Sequence, residues 1–400
     1  MLMKLSVFLE KISLFYFLIS FLLFAFLVKP GGEYSGNIDI PHITVNFTIF
    51  IPIFFMGALL FIFLLFIRRI KFDLLSLALI FRILLPLIPI IYEPQVIDFN
   101  GNIAILMSAV IVYLLAVNTV YHFEYLRKYL IIIFLLFCAQ TAVESYLGTY
   151  SFFDSTYMYK NDLILPIGGS NAIASDIIPL GCLIYCTETK KRYKLFFVAV
   201  MLVTVILTKS RSGIIVSLIM IAIMEAWNRK SSVKTVFALI ITLSAAILGG
   251  MYFILNTEIG SVAFTQNDST VVGRLFLLNH GIDIISEHPL FGSGFAEQVA
   301  MYNPHNYLLY TLMAFGIIGL LLFFIITFYV FKKLSSHLSD SYVRGVALFV
   351  SCLLLQGLGE IVIYAPIIEF MTWFIVGVAF RRIEILESTK GEINGRCTNS

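Results

Sequence analysis

Three clusters of polar side chains interrupt an otherwise strongly apolar chain. Lys209 and Arg211 stand between two hydrophobic stretches in LTKSRSGIIVSLIMIAIMEAW (207–227). Arg274 lies in VVGRLFLLNHGIDIISEHPLFGSGF (271–295), and His305 and Asn306 open PHNYLLYTLMAFGIIGL (304–320). Guanidinium groups grip phosphate oxygens through a planar fork and do not lose their proton. Two of them suit a multiply charged leaving group such as pyrophosphate, which otherwise needs a divalent cation. An imidazole near a helix N-terminus is favoured in its neutral form, which can accept a proton from a hydroxyl. The expected chemistry is a direct displacement. Arg211 and Arg274, helped by Lys209, hold pyrophosphate, and His305 deprotonates an acceptor hydroxyl that attacks from the opposite face with inversion. No DxD pair or carboxylate cluster occurs among the residues placed outside, so the arginines are expected to replace a metal, and no metal or cofactor is expected.

Each of these residues also has a plainer reading. Lys209, Arg211 and Arg274 could be cations that snorkel to a membrane interface. His305 could be structural. His280, on the same helix face as Asp283 and Glu287, reads as merely solvated.

Composition says what must position these groups. The 400 residues are 60% hydrophobic and 13% charged, and the mean hydropathy is +0.96. A soluble domain is nearer one quarter charged, so the expectation is an all-α polytopic membrane protein. A nucleic-acid partner is excluded by the lack of a basic stripe or binding motif. Cys138, Cys182, Cys186, Cys352 and Cys397 show no metal-ligand spacing and read as packing residues.

At the length a bilayer demands, about twelve spans can be placed. They lie near 11–28, 43–67, 74–91, 103–121, 129–147, 166–186, 195–208, 212–227, 235–255, 306–331, 344–359 and 361–380. The first is expected to be retained rather than cleaved as a signal peptide. Basic clusters fall in every second loop: RRIK (68–71), LRK (126–128), KKRYK (190–194), NRKSSVK (228–234), KK (332–333) and Arg381–Arg382. The positive-inside rule then places both termini in the cytoplasm.

Lys209 and Arg211 break this rule on the outer side, where an anionic ligand would account for them. The one long outer loop, 256–305, separates a membrane domain (1–255) from the last spans (306–380) and a cytoplasmic tail (381–400). Val271, Leu275, Leu278, Ile282 and Ile285 recur at helical spacing within it, predicting an amphipathic helix with Arg274 at the edge of the apolar stripe, turned toward the membrane domain. Pro289, Gly292 and Gly294 would end that helix.

Taken together, LTKSRSGI (207–214), GRLFLLNHGIDIISEHPLFGSGF (273–295) and PHNYLLYTLMAFGIIGL (304–320) resemble the O-antigen ligase/polymerase superfamily of bacterial surface-glycan enzymes. LPIGGSNAIAS (165–175) is similar to the Gly/Asn segment in the middle of that family. The resemblance is specific over roughly 160–330. It implies a glycosyltransferase type C-like fold in a bacterial inner membrane, with the active site facing the periplasm. It implies a metal-independent transfer of undecaprenyl-pyrophosphate-linked glycan, with a glycan or lipid A-core as acceptor and a chain-length regulator as a further partner. Arg211, Arg274 and His305 match its functional positions. Lys209, Asn306, Gly169 and Asn171 are candidate substrate-binding residues, although Gly168 and Gly169 could equally be helix-packing glycines.

A polymerase, which joins one lipid-linked repeat unit to another, is favoured by the resemblance, because the outer loop is short for a ligase. A ligase acting on lipid A-core is the alternative. A transporter for lipid-linked sugars is a third reading, but no internal symmetry supports it. The main intramembrane charges, Arg82, Glu144 and Asp176, are expected near span ends.

Overall fold

The computed structural model describes residues 8, 10–20, 36–40, 43–47, 57–60, 62, 65, 70–98, 104–148, 163–165, 168–228, 268–361 and 365–397. Helix dominates them. Beside the helices there is a small sheet, in which β1 (Gly36–Ile40) pairs antiparallel with β2 (Ile43–Phe47), and β2 pairs parallel with β3 (Gln95–Asp98). Ile43–Phe47 was expected to begin the second span. Its sequence ITVNF alternates apolar and polar residues and is rich in β-branched ones, which is the strand pattern. The expected span at 235–255 lies outside the described residues, as does Cys397's side chain.

Helix α1 (Leu74–Leu84) begins at Asp73, which trades hydrogen bonds with Ser76 in a reciprocal cap. Pro86 and Pro89 interrupt α-helical bonding, and Leu85–Ile91 tightens into a 3-10 helix. The helices α2 (Ala104–Asn118), α3 (Phe123–Gly148), α4 (Ser170–Thr187), α5 (Lys191–Leu207) and α6 (Arg211–Asn228) follow. After them come α7 (Asp268–Glu287), α8 (Glu297–Met301), α9 (Tyr307–Ser335), α10 (Ser341–Gly357) and α11 (Pro366–Cys397). Among the described residues, four stretches are long and apolar enough to cross a membrane: Leu74–Ile91, Phe123–Tyr146, Ser170–Thr187 and Tyr307–Ser335. Helix α11 does not stop at the expected tail but runs on through Arg381 and Arg382.

Helix α4 is the axis of the fold. Every residue from Ile173 to Thr187 is buried, and α3, α5, α6 and α10 surround it. Small residues let the backbones close: Gly181 meets Met201 of α5, Gly213 of α6 meets Ala174, and Gly345 of α10 meets Leu183 and Cys186. Cys138, Cys182, Cys186 and Cys352 are buried free thiols in this packing.

The intramembrane charges are not all near helix ends. Asp176 lies inside α4, fully buried, and neither carboxyl oxygen has a hydrogen-bond partner among the described residues. Arg82 forms a two-pronged pair with Glu369 of α11, and the Trp373 indole donates to the same carboxylate at 2.5 Å. Arg82 does lie in the last turn of α1, but it is held in a closed internal contact.

Helix α9 is two arms rather than one rod. Gly316 has φ +62° and ψ −165°, outside any helical region, and splits Tyr307–Phe315 from the arm that continues to Ser335. The arms fold together, because the Tyr307 and Phe323 rings meet at 5.1 Å. The break is filled by the segment after α7. Ser293 and Gly294 donate to the carbonyls of Met313 and Ala314, and Ile317 and Ile318 donate to Pro289 and Leu290. A Cβ on Gly316 would strike the Leu290 carbonyl, so the crossing needs glycine twice over.

The junctions between helices meet in two separate sets. In one, His122 contacts Glu10, Arg127 contacts Glu188, Lys71 contacts Glu384 and Arg382 clamps Asp340. In the other, residues 92–95 bind 292–295, and Asn171, Ser210, His305 and Glu360 join one another.

Candidate functional site

The site is built on four chain crossings at the second end. The first is the turn between α5 and α6. Thr208 hydrogen-bonds back to α5 through its hydroxyl, and Lys209 takes a left-handed backbone, φ +54°. A non-glycine residue there costs about 1 kcal/mol. Ser210 then caps α6, its Oγ accepting the Gly213 N–H at 3.1 Å, with both Thr208 and Ser210 wholly buried. Arg211 is therefore the first residue of α6 and is exposed. A helix N-terminus presents free N–H groups and a positive dipole end, which together with a guanidinium favours an anion.

The second crossing is the entry to α4. Gly169 pairs with Ile164 and leads directly into Ser170. A Cβ on Gly169 would meet none of the described residues within 4 Å, so the position is not one where a described helix packs closely. Asn171, one residue into the helix, uses both ends of its amide inside the protein. Its Oδ1 accepts the Ser210 hydroxyl at 2.7 Å, and its Nδ2 donates to Glu360.

The third crossing carries His305. Its backbone is also left-handed, φ +50°, held by its N–H donating to Asn303 Oδ1 at 2.9 Å. Its Nδ1 lies 2.9 Å from Glu360 Oε2, with the imidazole 39% exposed and the carboxylate 12%. Asn306 caps α9, accepting from the Leu308 and Leu309 N–H groups, and its amide donates to the Leu358 carbonyl at 3.0 Å. It fixes where His305 stands.

The fourth crossing, the turn after α10, supplies Glu360. Sequence reasoning passed over this residue. The signal was a single acid in the apolar run LLLQGLGEIVIY (353–364), at the junction of two expected spans. Gln356, a turn earlier, donates to Ser212 at 3.2 Å, tying α10 to α6.

Arg274 belongs to α7, but its side chain lies outside the described residues. Among the described residues of the apolar stripe the sequence predicts on α7, burial is uneven, with Ile285 partly buried against the Ile284–Phe295–Phe315 cluster. Gly281 and Ile284 are buried, with Gly281 against Met313, whereas Ile282 is 51% exposed. The physical reason is that glycine allows a close approach to α9 that the bulkier stripe would prevent. His280 is not simply solvated. It lies between the rings of Phe276 and Tyr302, at 4.1 and 4.6 Å.

Residues 92–95 brace this end. The Tyr92 hydroxyl donates to the Gly292 carbonyl at 2.6 Å, and buried Gln95 bridges the Ser293 carbonyl and the Phe295 N–H. Burial first, and then the Glu93 carboxylate, hold the Tyr92 phenol above its ordinary range, so it stays a donor. Among the described residues, no cluster of His, Cys, Asp or Glu is arranged to hold a metal ion.

The class defined by these features is a mainly helical protein with helices able to cross a membrane and a polar site gathered at one end of them. Residues 196–324 match the family model described as O-antigen ligase. That match supports the O-antigen ligase/polymerase superfamily and an enzyme role in polysaccharide biosynthesis, a family that implies lipid-linked glycan substrates. No curated protein matches the chain. The matched segment holds Arg211, Arg274 and His305 but begins after Asn171 and ends before Glu360.

Proposed function

We propose that the protein is a polytopic inner-membrane glycosyltransferase that joins undecaprenyl-pyrophosphate-linked repeat units on the periplasmic face. About twelve spans and cytoplasmic termini complete the picture, on the alternation of basic loops. The observation that carries the reading is the His305–Glu360 contact, on the same hydrogen-bonded chain as the turn that presents Arg211. Glu360 receives Nδ1–H, so the other ring nitrogen, Nε2, is the proton acceptor. The acceptor hydroxyl gives its proton to Nε2 as its oxygen bonds to the donor's anomeric carbon. The bond from that carbon to pyrophosphate breaks, and its electron pair leaves on a phosphate oxygen held by Arg211 and Arg274. Attack from the face opposite pyrophosphate inverts the carbon. Lys209 adds positive charge beside Arg211, and Gly169 leaves room for the substrate.

The ligase reading differs only in the acceptor, lipid A-core in place of a second lipid-linked unit. A chain-length-regulating partner accompanies the polymerase reading.

The test supplies purified protein in lipid with undecaprenyl-pyrophosphate-linked repeat units alone and separates the products on a gel. A ladder is expected from the wild type, and His305→Ala should form product at least about 100-fold more slowly. Arg211→Lys should also lose most activity, because the ammonium keeps the charge but not the fork. Product formed only after lipid A-core is added would replace polymerase by ligase. A full ladder from His305→Ala would remove the base.

A further inference from the structure

We infer that Asn171 is a positioning residue that couples the base to the helix bearing Arg211, setting which nitrogen of His305 faces the substrate. The inference rests on His305 acting as the base, and it gives Asn171 a different task from the substrate contact its sequence suggests.

The argument is one of proton direction. Ser210 Oγ already accepts the Gly213 N–H, and its single proton goes to Asn171 Oδ1 at 2.7 Å. The Asn171 amide therefore turns its N–H to Glu360 Oε1. The reverse orientation would set a carbonyl oxygen against a carboxylate, two acceptors face to face. Glu360 in turn has Oε1 filled by Asn171 and Oε2 facing His305 Nδ1 at 2.9 Å. A carboxylate so placed accepts and does not donate, so it draws the histidine proton onto Nδ1 and leaves the Nε2 lone pair for the hydroxyl.

The same chain fixes distance as well as tautomer. Ser210 is the cap of α6, and Arg211 is the next residue. Gln356 closes a second link from α10 to Ser212, on the other side of Arg211. The cation and the base thus stand at the ends of separate helices, and Asn171 is the residue that bonds both the Ser210 cap beside Arg211 and the Glu360 carboxylate beside His305. A small misplacement between them would slow transfer without weakening either hold on the lipid donor.

Asn171→Asp is nearly isosteric and tests this directly. It replaces the N–H that Glu360 receives with a second carboxylate. The expected result is a kcat lower by about 10-fold to 100-fold, with the KM for lipid-linked donor within about 2-fold of wild type. In a His305→Ala background the same substitution should cause no further loss. A histidine ¹⁵N spectrum gives a readout that needs no turnover. The signal absent in His305→Ala identifies His305, and it should report Nδ1 protonation in the wild type and a redistributed proton in Asn171→Asp.

A raised KM at unchanged kcat would make Asn171 a substrate contact and overturn the inference. An unchanged His305 signal in Asn171→Asp would overturn it as well. If the wild type forms no product with either acceptor, the proposed function falls, and the spectrum alone then decides whether Asn171 controls the histidine.

Discussion

Glu360 and Glu369 flank the same short connection, one just after α10 and one in the first turn of α11, yet they are given opposite surroundings. Glu369 is 2% exposed and faces Arg82 with both oxygens while accepting from Trp373. Its partners among the described residues are donors that keep their protons. Glu360 is 12% exposed and faces an imidazole and an amide. Its histidine has a second nitrogen that can take a proton. The contrast teaches that a buried carboxylate is structural or functional according to the partner it is given, and the partner is chosen by which helix end reaches it.

Removing each carboxylate should separate the two. Glu369→Gln removes the charge that faces the Arg82 guanidinium, and losing one member of a buried pair costs about 3–5 kcal/mol. The unfolding midpoint in detergent should fall sharply, and Arg82→Leu combined with Glu369→Leu should recover much of it. Glu360→Gln should instead reduce turnover by about 100-fold, while stability changes by less than about 1 kcal/mol. Equal destabilisation by the two substitutions would dissolve the distinction.

A third carboxylate sharpens the comparison from the opposite end of the molecule. Asp340 caps α10 and takes three close contacts from the Arg382 guanidinium, at 2.7 to 2.9 Å. Burial alone would raise this carboxyl, but the Arg382 side chain and the N–H groups of Val343 and Tyr342 outweigh it and hold it below the usual range. Its stabilising contribution is therefore present above about pH 4, the unfolded value, and is lost as pH falls through the lower folded value. Asp340→Asn keeps the cap and loses the ion pair, at a cost of about 1 kcal/mol near neutral pH. Thermal melts in acid should show the gap between variant and wild type closing.

Several particulars of the site could be read directly from residue types. Arg211 and His305 announce themselves as polar residues at the ends of apolar runs, and the match over residues 196–324 contains both. Glu360 did not, because a single acid in an apolar stretch has no local spacing that marks it. Its meaning comes from His305 and Asn171, which are remote in the chain. Asn171 was singled out, but its amide could have pointed to solvent or inward, and only the arrival of Ser210 and Glu360 decides. One detail of α7 was hidden for a related reason. Hydrophobic periodicity ranks side chains by polarity, whereas Gly281 is buried because it has none to obstruct Met313.

What the sequence determined by itself is the apolar character of the chain, the places where helices can run, and the residues able to bind an anion or take a proton. These follow from composition and from a period of about 3.6 residues, which are local properties. The tertiary structure alone decided the fold-back of α9 at Gly316, the closed Arg82–Glu369 pair, and the line from Ser210 through Asn171 and Glu360 to His305. Each of these joins distant segments, and hydrogen-bond direction and close packing are settled only when the helix ends meet.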